Sequence, residues 1–198
     1  MYQVYARIRG TAPILQHKFG SATLEALMQG SNKKTAAQDY SMEWQQTMYA
    51  SAGGFIYQPA AHIEGCLVKA GGLFQIKGRR GKTYKDTMRA YVYAQPDEIP
   101  ILWNNECIPV PDESLLLGPT EALSVSVMRV VVQRAAVARA RLMVATGWEM
   151  ALNLEVHDEQ LRPEVVEEIL REGGRAIGIG DFRPRYGRFE VVQFQQVA

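Results

Sequence analysis

Two cysteines, Cys66 and Cys107, and three histidines are the only thiol and imidazole ligands among the 198 residues. Neither cysteine has a His or Cys partner at metal-ligand spacing, which argues against a zinc motif or a disulfide framework and leaves two reduced thiols as the expectation. No apolar run approaches the roughly 18 residues that a membrane span needs, and no charged-then-apolar leader opens the chain at Met1. The expected address is the cytoplasm, with no membrane partner. G-x-S-x-G and H-E-x-x-H are both missing, His17, His62 and His157 stand far apart, and no aspartate cluster offers a two-metal site. The tripeptide GKT at residues 81–83 resembles the end of a phosphate-binding loop, but the glycine that such a loop needs five residues earlier is Ile76. The chain therefore reads as a non-enzyme, with no cofactor, no metal and no catalytic residue expected.

What is there is an ordinary globular composition, 47% hydrophobic and 22% charged, which speaks against disorder and against a fibrous repeat. At this length roughly 70% of the unfolded surface can be buried, enough for one core without staples. The formal net charge of +1 conceals segregation. Residues 77–89 carry Lys77, Arg79, Arg80, Lys82, Lys85 and Arg89 against the single acid Asp86, and residues 122–148 carry Arg129, Arg134, Arg139 and Arg141 with no acid at all. The carboxylates gather at 149–172. Segregated charge makes patches, and patches select partners.

The opening YQVYARIR alternates, with Tyr2, Val4, Ala6 and Ile8 on one face and Gln3, Tyr5, Arg7 and Arg9 on the other, as in a half-buried strand. Two short helices are expected around 22–28 and 35–48, then a short strand at 55–57. Pro59 opens a helix over about 59–70 that stops at Gly71-Gly72. The run KGRRGKTYK at 77–85 is polar, aperiodic and broken by glycine, and reads as a mobile loop. Residues 129–144 and 148–157 both alternate, and joined across Ala145, Thr146 and Gly147 they predict one long antiparallel hairpin. A helix is expected from Pro163 to the stop at Gly173-Gly174, and a closing strand at 189–194. Stripped of insertions at about 10–54 and 72–128, the order is βαββαβ. This is an α+β, ferredoxin-like (RRM-like) plan in a single domain over 1–198, with an antiparallel sheet and both helices on one face.

Four groups of residues suggest contact with a single nucleic-acid strand. In the basic run, Lys77, Arg79, Arg80, Lys82 and Lys85 are interleaved with Tyr84; cations neutralise phosphates and release counterions, while a ring stacks on any base. A solvated charge run is the alternative. In GIGDFRPRYGRF the glycines admit close approach, Arg183, Arg185 and Arg188 are phosphate-capable forks, and Phe182, Tyr186 and Phe189 can stack. A turn that merely seats the last strand is the alternative. His17 beside Lys18 suits a loop phosphate contact. Arg7, Arg9, Arg139 and Arg141 fall on the polar faces of the predicted strands and are expected to share one open sheet face.

Two of these segments resemble the RAMP superfamily, which forms the backbone of CRISPR effector complexes on ferredoxin-like folds. FIYQPAAHIEGCLVKA is similar to the family's strand followed by P-G-S-S-L-K-G-x-L-R, with Pro59, Ile63, Gly65 and Leu67 in matching places and Ala60, Ala61, His62 and Glu64 departing from it. RAIGIGDFRPRYGRFEVV resembles the glycine-rich loop before the last strand, through Gly178, Gly180, Gly187, Arg188 and Val191. The chain as a whole also resembles a group of small phage and prophage proteins that share the Q-R-A hairpin and the G-D-F-R-P-R-x-G-R-F ending, which would place it in a host cytoplasm. The RAMP resemblance implies a backbone-like subunit lying along single-stranded RNA or DNA, stacked on copies of itself or assembled with other subunits, with the first insertion acting as a thumb. Some RAMP proteins cut RNA with an aspartate in that insertion; only Asp39 is available here, without the glycine-rich context. An RNA endonuclease using His17 or Asp39, and a phage structural or assembly protein, are the competing readings.

Overall fold

The structure, a computed structural model, describes residues 1–18, 43–132 and 135–197, apart from the side chains of 130–132 and 135–137. The helices expected around 22–28 and across most of 35–48, together with Asp39 and Arg134, lie outside the described residues. In chain order the elements are β1 (Tyr2–Gly10), β2 (Ile14–Leu15), α1 (Glu43–Gln46), β3 (Tyr57–Pro59), α2 (Ala60–Gly71), α3 (Lys85–Tyr91) and β4 (Val92–Gln95). There follow β5 (Glu98–Pro100), β6 (Leu102–Trp103), β7 (Glu106–Cys107), β8 (Leu123–Val132), β9 (Ala135–Val144), β10 (Glu149–Val156), α4 (Pro163–Glu172) and β11 (Phe189–Val197).

The alternation in β1 does what period-2 patterning dictates: Val4, Ala6 and Ile8 are buried, while Gln3 and Arg9 are exposed. β1 is the inner strand of an antiparallel sheet, paired with β11 on one side and with β10 from Tyr2–Val156 to Arg9–Glu149 on the other. β10 in turn carries β4 and, at Glu149, β6. The order β11-β1-β10-β4, with α2 and α4 between its strands, is the ferredoxin-like arrangement, so the fold class agrees with the sequence. α2 and α4 cover one face of this sheet. Ile63, Leu67, Val166 and Ile169 interlock there with Ile8, Met150, Leu152 and Leu154, all at 2% exposure or less. Full burial of each such side chain stabilises by about 1.5–3 kcal/mol.

The predicted hairpin is divided between two sheets. β9 pairs along its length with β8, from Leu123–Val144 to Val132–Ala135, and with β2 in a separate three-stranded sheet; β10 belongs to the main one. Both halves alternate correctly, but alternation says which residues share a face, never which strand lies alongside. The second core strand is instead β4, four residues directly after α3, so the second insertion runs over 96–148 rather than 72–128. The basic run is ordered as well. Gln75 and Thr83 bridge, the Ile76 amide donates to the Lys82 carbonyl at 2.8 Å, and Lys85 already belongs to α3. Gly173-Gly174 does not end the second helix, which widens through Gly173–Ile177 and reverses at Gly178. A Cβ at Gly174 would strike the carbonyl and ring of Phe189, so that glycine is there for packing.

Candidate nucleic-acid interface

The cations singled out from the sequence divide by whether a carboxylate or a fellow side chain already holds them. Arg7 and Arg9 point from the open face of the main sheet and share one carboxylate: Glu149 Oε2 accepts from Arg7 Nε at 2.8 Å, and Oε1 accepts from Arg9 Nε at 2.7 Å. Burial pushes the Glu149 carboxyl up, but the hydrogen bonds from Arg9 and Arg7 outweigh it and hold it below the ordinary carboxylate range. Arg139 and Arg141 lie on the other sheet, so the four arginines do not share an open face. Arg139 donates to Glu43 Oε1 at 2.6 Å, while Glu43 Oε2 accepts the Ala140 amide at 3.0 Å. One buried carboxylate thus pairs a cation and covers a β9 amide that no strand reaches.

Arg141 is 5% exposed. Its Nε lies 2.6 Å from Asp181 Oδ2, its Nη2 lies 3.1 Å from His17 Nδ1, and its guanidinium sits 5.0 Å from the centre of the Phe182 ring. Its Nη1 is buried with no acceptor among the described residues. His17 Nδ1 thus stands between the Arg141 guanidinium and the Asp181 carboxylate, 3.4 Å from Asp181 Oδ2. Burial raises the Asp181 carboxyl, whereas the adjoining His17 and Arg141 outweigh that and hold it low. Burial therefore removes Arg141 from direct contact with a strand and makes it the post on which the glycine-rich loop hangs.

That loop is shaped by its backbone. Gly180 and Gly187 have φ of 79° and 72°, and a Cβ at Gly187 would land on the Ile179 carbonyl. The Asp181 amide donates to Leu15 at 2.9 Å and the Gly187 amide to Pro13 at 2.8 Å, so the loop is strapped to β2 and its tip projects Arg183 and Arg185 into solvent. Tyr186 is half-buried, its hydroxyl 3.9 Å from Met128 Sδ. The tip stands beside the start of α2, where His62 is pushed below the ordinary histidine range first by burial and then by Arg183.

Lys18, Lys77, Arg79, Arg80, Lys82, Lys85, Arg183, Arg185 and Arg188 are all exposed and make no ion pair among the described residues. Tyr84 packs half-buried against the core, whereas Tyr91 and Tyr93 present 44% and 41% of their surface. The free cations form two groups, the hairpin with α3 after the last turn of α2 and the loop tip beside its first. Between them runs α2, whose twelve residues span about 18 Å.

No protein-family model matches the chain, and no curated protein matches it by sequence. Shape does find relatives. A chain in the cryo-EM structure of the Type III-B Cmr-beta bound to cognate target RNA matches with a TM-score of 0.56 at 12% identity, over 99% of this chain and 60% of that one. The two chains share a fold. Cmr6 from Pyrococcus furiosus matches with a TM-score of 0.48 at 11% identity, covering 97% of this chain and 98% of its own. A chain of a Type IV-B CRISPR complex matches with a TM-score of 0.48 at 10% identity, covering 99% and 90%. The chain spans three-fifths of the Cmr-beta chain's length. No helix among the described residues is long and apolar enough to cross a membrane.

The sequence reading passed over Asp181, His62, Tyr49 and Gln58, which meet His17 and the loop. Tyr49 donates to the His17 carbonyl at 3.2 Å and stacks edge-on against His62 at 5.5 Å, and Gln58 contacts the His62 ring. Asp181 had one visible signal: it is the only acid among the arginines of GDFRPRYGR.

Proposed function

We propose that this chain binds single-stranded nucleic acid, RNA or DNA, without cutting it, and works as a backbone-like subunit that stacks along the strand on copies of itself or in an assembly with other subunits. The observation that carries this reading is the pair of unpaired cation groups flanking α2. Cations without protein partners are free to neutralise phosphates, and exposed Tyr91 and Tyr93 beside one group offer stacking surfaces. The RAMP-like fold supports it, since the Cmr-beta structure that shares this shape is bound to target RNA. A strand stacked at roughly 3.4 Å per nucleotide needs about five or six nucleotides to touch both groups.

End-labelled homopolymers of graded length, followed by fluorescence anisotropy and then run on a denaturing gel, test the proposal. Affinity is expected to rise up to about six nucleotides, and the recovered strand to be intact. Absence of binding at low salt overturns the reading. Shortened product favours the endonuclease alternative, with His17 or Asp39 as the candidate group.

A further inference from the structure

The open face of the main sheet carries a second polar feature that lies on the opposite side from α2 and its cations. Arg7 and Arg9, two residues apart on β1, line a pocket of about 620 Å³ with Glu149, Gln193 and the Asn104-Asn105 turn, and Gly147 and Val192 complete its walls. Glu149 is the one acid in this lining, and both of its oxygens are already taken by the two guanidiniums. Arg9 uses only Nε for it, so Nη1 and Nη2 have no acceptor among the described residues; Arg7 spends Nε and Nη2 on Glu149 and Asn105, so its Nη1 is free. Two cations against one carboxylate leave a surplus positive charge and a row of unused N–H donors facing the cavity. Glu149, 8% exposed, fixes the guanidiniums in place before any ligand arrives. Asn104 and Asn105 hold left-handed φ of 52° and 67°, which folds the turn back so that Asn105 Oδ1 accepts from Arg7 and its amide N–H group is left over. The pocket is rich in donors, short of free acceptors and pre-organised.

We propose that this pocket is an anion site for a phosphate group. The volume exceeds that of the anion, so the phosphate is carried by a nucleotide or by the end of a strand. The inference does not rest on strand binding at the α2 groups: the pocket lies on the other sheet face and uses different residues.

The test is titration of the intact protein with inorganic phosphate and with a nucleoside 5′-monophosphate, followed by calorimetry, for the wild type, Arg9→Gln, Asn105→Asp and the charge control Arg175→Gln. Arg9 is half exposed, Arg7 still pairs Glu149 in Arg9→Gln, and Asp tolerates the left-handed backbone, so both variants should stay folded with only a small drop in melting temperature. Saturable binding in the wild type and in Arg175→Gln, weakened at least about tenfold in Arg9→Gln and in Asn105→Asp, is the expected result; the tenfold corresponds to about 1.4 kcal/mol. Absence of saturable phosphate binding, or equal binding by Arg9→Gln, overturns the proposal. Comparing one oligonucleotide with a 5′-phosphate and with a 5′-hydroxyl identifies the source. An Arg9-dependent gain from the 5′-phosphate assigns the pocket to a strand end, and a gain confined to the mononucleotide assigns it to a free nucleotide. Failure of the strand reading shows separately, as hydroxyl-ended oligonucleotides that do not bind at all.

Discussion

Arg79 and Arg80 in the basic hairpin and Arg139 and Arg141 on β9 are the same residue type in equally acid-poor stretches of sequence, yet the molecule uses them in opposite ways. The hairpin arginines stand in solvent and pair with no carboxylate among the described residues, whereas those on β9 are clamped by Glu43 and Asp181, acids contributed by segments 96 and 40 residues away. Acid-poor sequence is therefore a poor guide to free charge. Neutralisation is arranged in three dimensions, and where a distant carboxylate arrives an apparent binding residue becomes part of the scaffold.

The contrast breaks most sharply under charge removal. Arg79→Ala with Arg80→Ala, combined with Arg183→Ala and Arg185→Ala, should nearly abolish binding to every strand sequence alike and leave the melting temperature unchanged, because phosphate contacts carry no sequence information and exposed charges contribute little to stability. In the wild type, neutralising about six phosphates should cost on the order of a thousandfold in affinity between 50 and 200 mM salt. Salt-independent binding would sink the distinction from the hairpin side.

Arg141→Ala should do the reverse, lowering stability by about 3 kcal/mol in urea melts because Asp181 and the glycine-rich loop lose their buried partner. That approaches the loss of about 2 to 5 kcal/mol expected for the fully buried Leu154→Ala or Ile169→Ala. A change below about 0.5 kcal/mol at Arg141 would return it to the surface class. Arg139→Ala is expected to cost less, about 1 to 3 kcal/mol, since its own side chain is 27% exposed although Glu43 is buried.

The smallest effect is the response to acid. Asp181 and Glu149 have folded carboxyls held below their ordinary values, so each stabilises the fold at pH above the unfolded value, about 4, and that stability is lost as pH falls through the lower, folded value. Stability should therefore be flat above about pH 5 and decline below about pH 4, by a fraction of the Arg141→Ala effect. In Arg141→Ala the Asp181 share of that decline should shrink, as measured by urea midpoints across pH 2.5 to 6.

Much of the main sheet was legible in the sequence because its signals are local. The period-2 run of β1, Pro59 ahead of the Ile63, Leu67 and Ala70 stripe, and Pro163 ahead of Val166, Ile169 and Leu170 each place an element to within a residue or two. β4 was missed because four residues between a helix and Pro96 are too few to show a period. The split between β9 and β10 was missed because two alternating runs with a glycine between them satisfy every hairpin signal, and only the competition of β8 and β1 for their edges decides otherwise. At the candidate interface the exposed cations were visible as composition. Glu43 and Asp181 were not, because nothing in a linear chain reports that a carboxylate will arrive at a particular guanidinium.

The chain crosses from the main sheet to the second sheet at Gly10 and returns at Trp148, and the two crossings are tied together. The Gly10 amide donates to the Trp148 carbonyl at 2.7 Å, the Gly147 amide to Gly10 at 3.0 Å, and the Trp148 indole to the Ala12 carbonyl at 2.9 Å. A Cβ at Gly10 would strike the indole ring, which is fully buried in the crook. Mechanically this is a wedge set in a two-ply strap. Any swing of the outer sheet must drag a large ring out of close packing, so the angle between the glycine-rich loop strapped to β2 and the sheet that carries Arg7 and Arg9 is stiff, and on the proposed function a nucleic acid laid across both would take its curvature from the protein.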